Sequence, residues 1–434
     1  MDPVEEHAYA LGIQALTWGY PLICYARTNY GSVEAHAAGV NRFRLFEQVK
    51  TAADRYVVSP NNVTLDGYAN LQLAGEPIVL HVPVLSEPRW YIVQIGDTFD
   101  EYLAGIGGAR GPRPGTYALV GPDFHGELPA GITAIRLRTR TGIAALRVFV
   151  AGEADTPAAV AVQRQFRLLP LSAFLSEGLG ARDPQPAVVP KLVDTTDERL
   201  RPFDHLGQAM RWFLPTTGDR DDALIGSFRR IGLTTGGGFD PAPLDEATER
   251  GLARAGEAAE AIIDARWASV GETVNGWRYY FAGGRAGHDF ALRAALAKYV
   301  LGSHWASEAV YPPCSVDEDG RPLDGSRDYV LHFPAGQLPP VTVLWNLALY
   351  DADMLFVAND HNRFSIGSTT DGLTPGPDGS LTLHIQHTEP TTPIGVANWL
   401  PAPTGAFTLT MRLYGPETAV LDRSYRLPAV TIRD

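Results

Sequence analysis

Arginine, tyrosine and asparagine side chains that could do chemistry concentrate in the C-terminal quarter of the sequence. Arg412 and Tyr414 share one face of a predicted strand, and Asn346 and Tyr350 share one face of another. A guanidinium is a permanently charged planar fork that suits a carboxylate or an oxyanion, and a tyrosine can donate a proton. These residues predict a pocket in or beside the C-terminal β region that binds an anionic or carbonyl oxygen.

The loop after the second of these strands adds further candidates. Asn362 and Arg363 lie in it, so Arg363 is an alternative to Arg412 as the oxygen-binding cation. His387 is a second acid–base candidate, because imidazole is the side chain whose unperturbed pKa lies near neutrality. The competing interpretation is that each arginine only stabilises the fold. The substrate-binding candidates of this region are Trp345, Asn346 and Asn362.

A similar polar group lies near the N-terminus. Trp90 and Gln94 alternate onto one face of a predicted strand. Asn61 and Asn62 belong to a Ser-Pro-Asn-Asn turn, in which proline fixes φ and asparagine tolerates left-handed conformations. These four residues are substrate-binding candidates, and they are the alternative location of the site.

No motif indicates a metal or a nucleotide cofactor. The sequence has no phosphate-binding loop, dinucleotide fingerprint, Gly-x-Ser-x-Gly elbow or His-Glu-x-x-His helix. His384 and His387 would point to opposite faces of a strand and therefore would not chelate one ion. Cys24 and Cys314 are too few for a structural zinc site. We expect no metal, no cofactor and a small-molecule ligand.

Two series of short strands flank a helical middle. Their spacing and their Gly/Pro turns are typical of a sandwich or barrel, and amphipathic periodicity predicts the helices. The fold class is therefore mainly β with α: two antiparallel β-sandwich or jelly-roll-like domains with a helical insert and a helical N-terminus. The predicted strands are 78–82, 90–95, 116–120, 134–137, 144–150, 329–333, 341–350, 380–387, 406–414 and 428–432. The predicted helices are 4–39, 157–166, 203–214, 223–231, 244–271 and 289–302.

A chain of 434 residues is too long for one ordinary core, so we expect several domains. The segments are a helical N-terminus (1–50), a first β domain (51–175), a linker and helical region (176–325) and a C-terminal β-sandwich (326–434).

The composition is that of a globular protein with an acidic surface. A net charge of −13 argues against nucleic acid or an anionic membrane as partner, because either needs a local basic patch. No apolar segment reaches the roughly eighteen residues of a membrane span. The acidic N-terminus lacks a signal-peptide core, so we expect a cytoplasmic protein. We also expect a homo-oligomer, since segments 18–30 and 277–281 are too aromatic to be exposed.

Several motifs resemble two paired bacterial families of unknown function, DUF1254 at the N-terminus and DUF1214 at the C-terminus. The N-terminal motifs are Trp18-Gly-Tyr-Pro21, Ser59-Pro-Asn-Asn-Val-Thr64, Trp90-Tyr-Ile-Val-Gln-Ile-Gly-Asp97 and Leu169-Pro-Leu171. The C-terminal motifs lie in 328–367, 378–387, 397–403 and 411–416. The resemblance implies an aspartate at the position of Val63 and an aromatic residue at that of Asp66, so this chain has lost one carboxylate from the turn.

Two functions from different classes fit the sequence. The first is an enzyme of lyase, hydrolase or isomerase type without a nucleotide cofactor. It would act on a small oxygenated organic molecule by hydrolysis, elimination or isomerisation, in a biosynthetic or catabolic pathway. The second is a non-catalytic carbohydrate- or ligand-binding protein, since sandwich folds bind as readily as they catalyse. The aromatic residues around the polar candidates favour the enzyme.

Overall fold

The chain begins with a long helix, α1 (Pro3–Tyr25). The computed structural model describes residues 2–30, 39–55, 58–182, 191–213, 219–234, 236 and 238–433. Asp2 caps α1 by accepting a hydrogen bond from the Val4 backbone N–H at 2.9 Å, and a proline fits the first turn. A π-helical turn, Ala26–Tyr30, extends α1. The rest of the predicted 4–39 helix, residues 31–38, lies outside the described residues.

The first β domain consists of two sheets. Its strands pair antiparallel except for β1 with β3 and β7 with β8, which are parallel. The first sheet contains β1 (Gly39–Val40), β2 (Arg44–Leu45), β3 (Thr64–Gln72), β5 (Tyr91–Asp97), β6 (Tyr102–Gly107) and β9 (Thr141–Phe149). The second sheet contains β4 (Ile78–Val82), β7 (Gly115–Val120), β8 (Ile132–Arg136) and β10 (Arg167–Pro170).

Alternation along the strands of the first sheet separates an apolar face from a polar one. Leu65 of β3 and Leu146 of β9 pack against Leu80 and Leu119 of the second sheet. Successive strand residues point to opposite faces, so the neighbours of the apolar residues point away from this core. The first sheet therefore has an outer face that carries polar side chains.

Helices cover part of that outer face. Leu16 of α1, Leu206 and Leu252 belong to one core with Phe99 and Ile143 of the first β domain. The helices after α1 are α2 (Thr156–Gln163), α3 (Leu171–Glu177), α4 (Arg201–Phe213), α5 (Asp219–Ser227), α6 (Glu246–Ala268), α7 (Phe290–Val300), α8 (Pro393–Ala397) and α9 (Thr418–Leu421). No helix among the described residues is both long enough and apolar enough to cross a membrane.

The C-terminal β domain is a second two-sheet sandwich. Trp277, Leu347 and Met411 of its first sheet pack against Leu331 and Leu383 of the other. The third sheet of the chain contains β11 (Glu272–Val274), β12 (Trp277–Tyr279), β13 (Ala309–Val310), β14 (Pro313–Cys314), β16 (Val341–Tyr350), β17 (Ser365–Gly367) and β20 (Thr408–Pro416). The fourth contains β15 (Tyr329–Phe333), β18 (Leu381–Gln386), β19 (Trp399–Pro401) and β21 (Val430–Ile432).

The predicted fold class is confirmed: the protein is mainly β with α, has mostly antiparallel sheets, and begins with a helix. The short strands β11 to β14 fall in the segment expected to be linker and helix, yet they pair within the third sheet. Among the aromatic residues behind the expected homo-oligomer, Trp18, Tyr25 and Trp277 are core residues of one chain. Their burial removes that reason for expecting an oligomer.

Candidate active site between the two β domains

The outer face of the third sheet carries the polar residues that strand alternation predicts. Asn346 of β16 lies directly opposite Arg412 of β20, and both are buried. Tyr350 is four residues from Asn346 on β16, and Tyr414 is two residues from Arg412 on β20. Because side chains alternate along a strand, both tyrosines lie on the same face as Asn346 and Arg412. Leu347 and its partners on the other face fill the sandwich core. Four predicted site residues thus meet on one surface of one sheet.

That surface faces the outer side of the first sheet and the turn that precedes β3. Val63, Trp90 and Phe149 of the first β domain pack against Leu344 and Tyr414 of the C-terminal domain. We call the polar residues at this junction the interdomain cluster. Its members are Asn61, Asn62, Asp66, Tyr68, Trp90, Gln94, Arg147, His304, Tyr311, Asn346, Tyr350, Arg412 and Tyr414.

Arg412 anchors the turn of the first domain to the third sheet. Its Nη2 donates to the Ser59 carbonyl at 2.7 Å, to the Pro60 carbonyl at 3.2 Å and to the Tyr350 hydroxyl at 2.7 Å. Tyr350 in turn donates to the Pro60 carbonyl at 2.8 Å. All these acceptors are neutral, and no described carboxylate forms an ion pair with Arg412. A buried cation held only by dipoles leaves a site that favours an anionic group.

Arg147 is the second guanidinium of the cluster. It projects from β9, where it lies opposite Asp66 of β3. Its Nε is 3.7 Å from the Asp66 carboxylate, and its Nη1 donates to Gln94 Oε1 at 2.8 Å. Tyr68 lies two residues from Asp66 on the same face of β3, and burial, the largest influence, raises the pKa of its hydroxyl. Burial lowers the pKa of Arg147, but Tyr68, Tyr311 and Asp66 together outweigh it, so this guanidinium stays charged.

His304 lies in the loop between α7 and β13 and is 3% exposed. Arg147 Nη1 donates to His304 Nε2. Because Nε2 accepts, the proton of the neutral ring sits on Nδ1, and no described residue accepts from Nδ1. Burial, together with the charges of Arg147 and Arg412, lowers the pKa of His304 well below its ordinary range. The imidazole is therefore a neutral hydrogen-bond donor at physiological pH.

Tyr414 offers a hydroxyl whose proton is not engaged. Asn61 Nδ2 donates to the Tyr414 oxygen at 3.1 Å and to Thr64 Oγ1 at 2.8 Å. No described residue accepts the Tyr414 hydroxyl hydrogen. Trp90 and Tyr311 pack against the ring of Tyr414 edge-on, at centroid distances of 5.5 and 6.0 Å. Tyr350 differs, because its proton is already donated to a backbone carbonyl.

A short chain of amides and a hydroxyl links the two domains at the side of Arg412. Asn346 Nδ2 donates to Ser365 Oγ at 3.0 Å, and Ser365 donates to Asn62 Oδ1 at 2.8 Å. The Oδ1 atom of Asn346 is buried without a partner among the described residues. Asn346 thus presents an acceptor beside Arg412, its strand partner.

Unpartnered buried polar atoms are grouped in the cluster. Besides His304 Nδ1 and Asn346 Oδ1, two further atoms lack a described partner, Arg412 Nε and Trp90 Nε1. An isolated unsatisfied polar atom costs roughly 1–3 kcal/mol, so several in one place call for a functional explanation. Three donors and one acceptor around two guanidinium groups match an oxygen-rich anionic ligand.

Three residues of the cluster are partly buried and lie beside one another's charges or hydroxyls. Tyr68, Arg147 and Tyr311 each keep some accessible surface. Burial is nevertheless the largest influence on their pKa values and raises those of Tyr68 and Tyr311. The raised pKa values keep these tyrosines protonated.

The other predicted site residues lie elsewhere. Arg363 donates to the carbonyl of Val396 in α8 at 3.0 Å and to that of Trp399 in the fourth sheet at 2.9 Å. His387 Nδ1 donates to the Ala402 carbonyl at 3.0 Å. Both contacts are those of residues that satisfy backbone groups. Asn362 is exposed in a turn at φ 48°, and Trp345 packs in the sandwich core beside Phe333.

Five cluster residues were missing from the predicted site: Asp66, Tyr68, Arg147, His304 and Tyr311. Arg147 stands alone among the apolar residues of β9, and a cation inside such a strand is a signal for a buried site. Asp66 similarly interrupts β3. His304 lies in an irregular loop, where no periodicity marks it. Among the described residues, no three His, Cys, Asp or Glu side chains form a group that could hold a metal ion.

Comparisons with known proteins agree with this architecture. Residues 40–170 match the family DUF1254, a protein of unknown function, and residues 308–418 match DUF1214, also of unknown function. The chain thus carries a DUF1254 match followed by a DUF1214 match, in the order that the sequence motifs predict. The DUF1254 match contains Asn61, Asp66 and Arg147, whereas the DUF1214 match contains Asn346 and Arg412. The interdomain cluster therefore draws on both families. No curated protein matches the sequence.

Two solved structures are similar to the chain. The VPA0106 protein from Vibrio parahaemolyticus covers 98% of this chain and 100% of its own, with a TM-score of 0.74 and 22% identity. An uncharacterized protein from Burkholderia cenocepacia covers 99% of this chain and 94% of its own, with a TM-score of 0.44 and 12% identity. The first shows that the DUF1254–DUF1214 chain shares an overall fold with VPA0106.

Proposed function

We propose that the protein is a cofactor-independent enzyme that acts on a small oxygenated organic molecule at the interdomain cluster. The observation that supports this most is the charge at the junction. Two buried guanidinium groups, Arg147 and Arg412, are accompanied in the cluster by one carboxylate, Asp66. A ligand with a carboxylate or a developing oxyanion would balance the excess positive charge.

The residues suggest a division of roles. Arg412 and the Nδ1–H of His304 would hold the oxygen on which negative charge develops. A neutral imidazole can stabilise an enolate in this way without protonating it fully. Tyr414 would donate a proton, since its hydroxyl hydrogen is free. Asp66 would remove one, because it is the carboxylate of the cluster.

This set of groups fits elimination or isomerisation best. Both reactions begin with removal of a proton from a carbon beside a carbonyl or carboxylate group, and both require an oxygen-binding site opposite a base. Hydrolysis is the weaker alternative, because Ser365 pairs with two amides and not with a base. We also propose that the ligand is a small molecule and that the protein is cytoplasmic.

A non-catalytic ligand-binding protein is the alternative function. It would need the same arginines to hold an anion, but it would not need Asp66 or the Tyr414 proton. The two functions therefore predict different results when Asp66 is replaced. An enzyme would still bind its ligand but lose the reaction, whereas a binding protein would have no reaction to lose.

The test combines binding and exchange. A panel of small carboxylates and ketones is incubated with the protein in deuterium oxide, and deuterium uptake and product are measured by mass spectrometry. Binding is measured by calorimetry. We expect Arg412→Gln to lose about a hundredfold in rate, as for other groups that stabilise developing charge. Asp66→Asn should keep binding and lose exchange.

Arg363→Gln is the matched control, since it removes a half-buried guanidinium that contacts backbone carbonyls. It should lower stability and leave turnover per folded molecule unchanged. Binding without exchange for every compound that binds would support the ligand-binding protein. Exchange that survives both Arg412→Gln and Asp66→Asn would refute the proposed site.

A further inference from the structure

An open pocket of about 420 Å³ lies at the edge of the first β domain, where its two sheets meet. β2 contributes to it from the first sheet and β10 from the second. None of its residues belongs to the interdomain cluster. The lining residues are Arg42, Phe43, Leu45, Arg164, Phe166, Arg167, Leu168 and Arg182. The volume falls within the range of small-molecule sites, roughly 300–1,000 Å³.

The charge of the pocket is the opposite of that of the whole chain. Four arginines line it, although the net charge of the protein is −13. Arg164 forms an ion pair with Glu47 at 2.6 Å. Arg42 and Arg182 form no ion pair with a described carboxylate. The positive charge of Arg42 and Arg182 at the pocket therefore favours an anionic occupant.

The position of one arginine is set by the backbone. Arg167 donates to the carbonyls of Leu179 and Ala181 at 3.1 and 2.9 Å. These bonds fix its guanidinium at the pocket. A preorganised guanidinium loses less freedom when it binds an anion than a free surface arginine does.

The rest of the lining is apolar. Phe166 and Leu168 are buried residues of the sandwich core, and Phe43 and Leu45 pack against that core. A lining that combines aliphatic and aromatic carbon with guanidinium groups suits a molecule with an apolar body and an acidic end. We propose that this pocket binds an amphipathic carboxylate, such as an aromatic acid or a medium-chain fatty acid.

The experiment is isothermal titration calorimetry of the full chain with benzoate and octanoate. Benzyl alcohol and octanol are the neutral counterparts, and inorganic phosphate is the anion without an apolar body. We expect saturable binding of a carboxylate, one per chain, that weakens as salt is raised. The double variant Arg42→Gln/Arg182→Gln should bind on the order of tenfold or more weakly, because each lost charge-assisted hydrogen bond matters at this level.

Arg140→Gln/Arg423→Gln is the control, since it changes the net charge equally at exposed arginines outside the pocket. It should bind as the natural sequence does. Carboxylate binding that persists in Arg42→Gln/Arg182→Gln and is lost in Arg412→Gln would belong to the interdomain cluster and would count against this pocket. The proposal is overturned if neither carboxylate binds, if phosphate binds as tightly, or if the double variant in the pocket binds normally.

Discussion

Arg147 Nη1 donates to His304 Nε2, and this bond joins the first sheet to the loop that leads into the third. It sets the tautomer of the imidazole, because a nitrogen that accepts a hydrogen bond cannot carry the proton. The donor that remains, Nδ1–H, has no described partner. The orientation of His304 therefore depends on the first β domain, although its backbone belongs to the other side of the junction.

The depressed pKa of His304 predicts a loss of stability in mild acid. The unfolded chain takes up a proton near the ordinary value of 6.5, whereas the folded chain does not. Stability should therefore fall as the pH drops below that value. His304→Gln keeps an acceptor for Arg147 and does not titrate, so its urea midpoint should fall less between about pH 7.5 and pH 5. The exposed His7→Gln variant should behave as the natural sequence does.

Asp100 predicts the opposite slope. It is 3% exposed, and burial raises the pKa of its carboxyl well above the ordinary 3.8. The folded chain then keeps a proton that the unfolded chain releases, so Asp100 lowers stability as the pH rises above about 4. Its backbone φ is 62°, which asparagine also tolerates. Asp100→Asn should therefore flatten this slope and stabilise the protein near neutrality in urea unfolding. A less stable variant at neutral pH would contradict the buried neutral carboxyl.

The Tyr350 hydroxyl supports both Arg412 and the turn of the first domain. Tyr350→Phe removes an acceptor from a buried cation and a donor from the Pro60 carbonyl. We expect the free energy of unfolding to fall by about 1–3 kcal/mol, the cost of buried partners left unpaired. Tyr117→Phe is the control, since its hydroxyl donates to a carbonyl at an exposed site. An equal loss in both variants would mean that Tyr350 has no special role.

Gly367 permits the close pairing of β17 with β16. A Cβ atom there would lie 2.2 Å from the Trp345 carbonyl oxygen and 2.7 Å from the Asn346 Cα. Gly367→Ala should therefore push the strands apart and cost about 2 kcal/mol or more. Gly405→Ala, where nothing lies within 4 Å, should be nearly neutral. Thermal unfolding of both variants measures the difference. Equal melting temperatures would show that the strand pair yields easily.

Period-two alternation predicts local features of the site correctly. It places Asn346 with Tyr350 and Arg412 with Tyr414, because successive side chains of a strand point to opposite faces. It also separates Trp90 and Gln94 from the core of the first domain. These inferences need only the strand assignments, which the spacing of apolar residues provides.

The meeting of the two polar groups was not predictable in the same way. From the sequence we predict two alternative sites, one with Asn61 and Gln94 and one with Arg412, whereas the structure brings all three residues into one cluster. Their contact depends on the packing of two sandwiches, and no local pattern encodes it. Arginine and histidine are suited to chemistry, yet the side chains of Arg363 and His387 donate their hydrogen bonds to backbone carbonyls.

Short strands were missed for a related reason. β11 to β14 have only two or three residues each, too few for a period to be visible. They pair because their neighbours in the third sheet provide the other half of each ladder. The long helix predicted at 244–271 has a repeated apolar stripe and is present as α6 (Glu246–Ala268).

The core of the C-terminal sandwich extends beyond the segment that defines its family. Trp277 on β12 is fully buried, and its Nε1 donates to the Pro428 carbonyl at 2.8 Å. Both residues lie outside the DUF1214 match at 308–418. Recombination that moved this segment alone into another gene would transfer the sandwich without Trp277 of the third sheet and without β21 of the fourth. The segment that matches DUF1214 therefore needs the residues on either side of it to complete its core, and we expect the two to be inherited together.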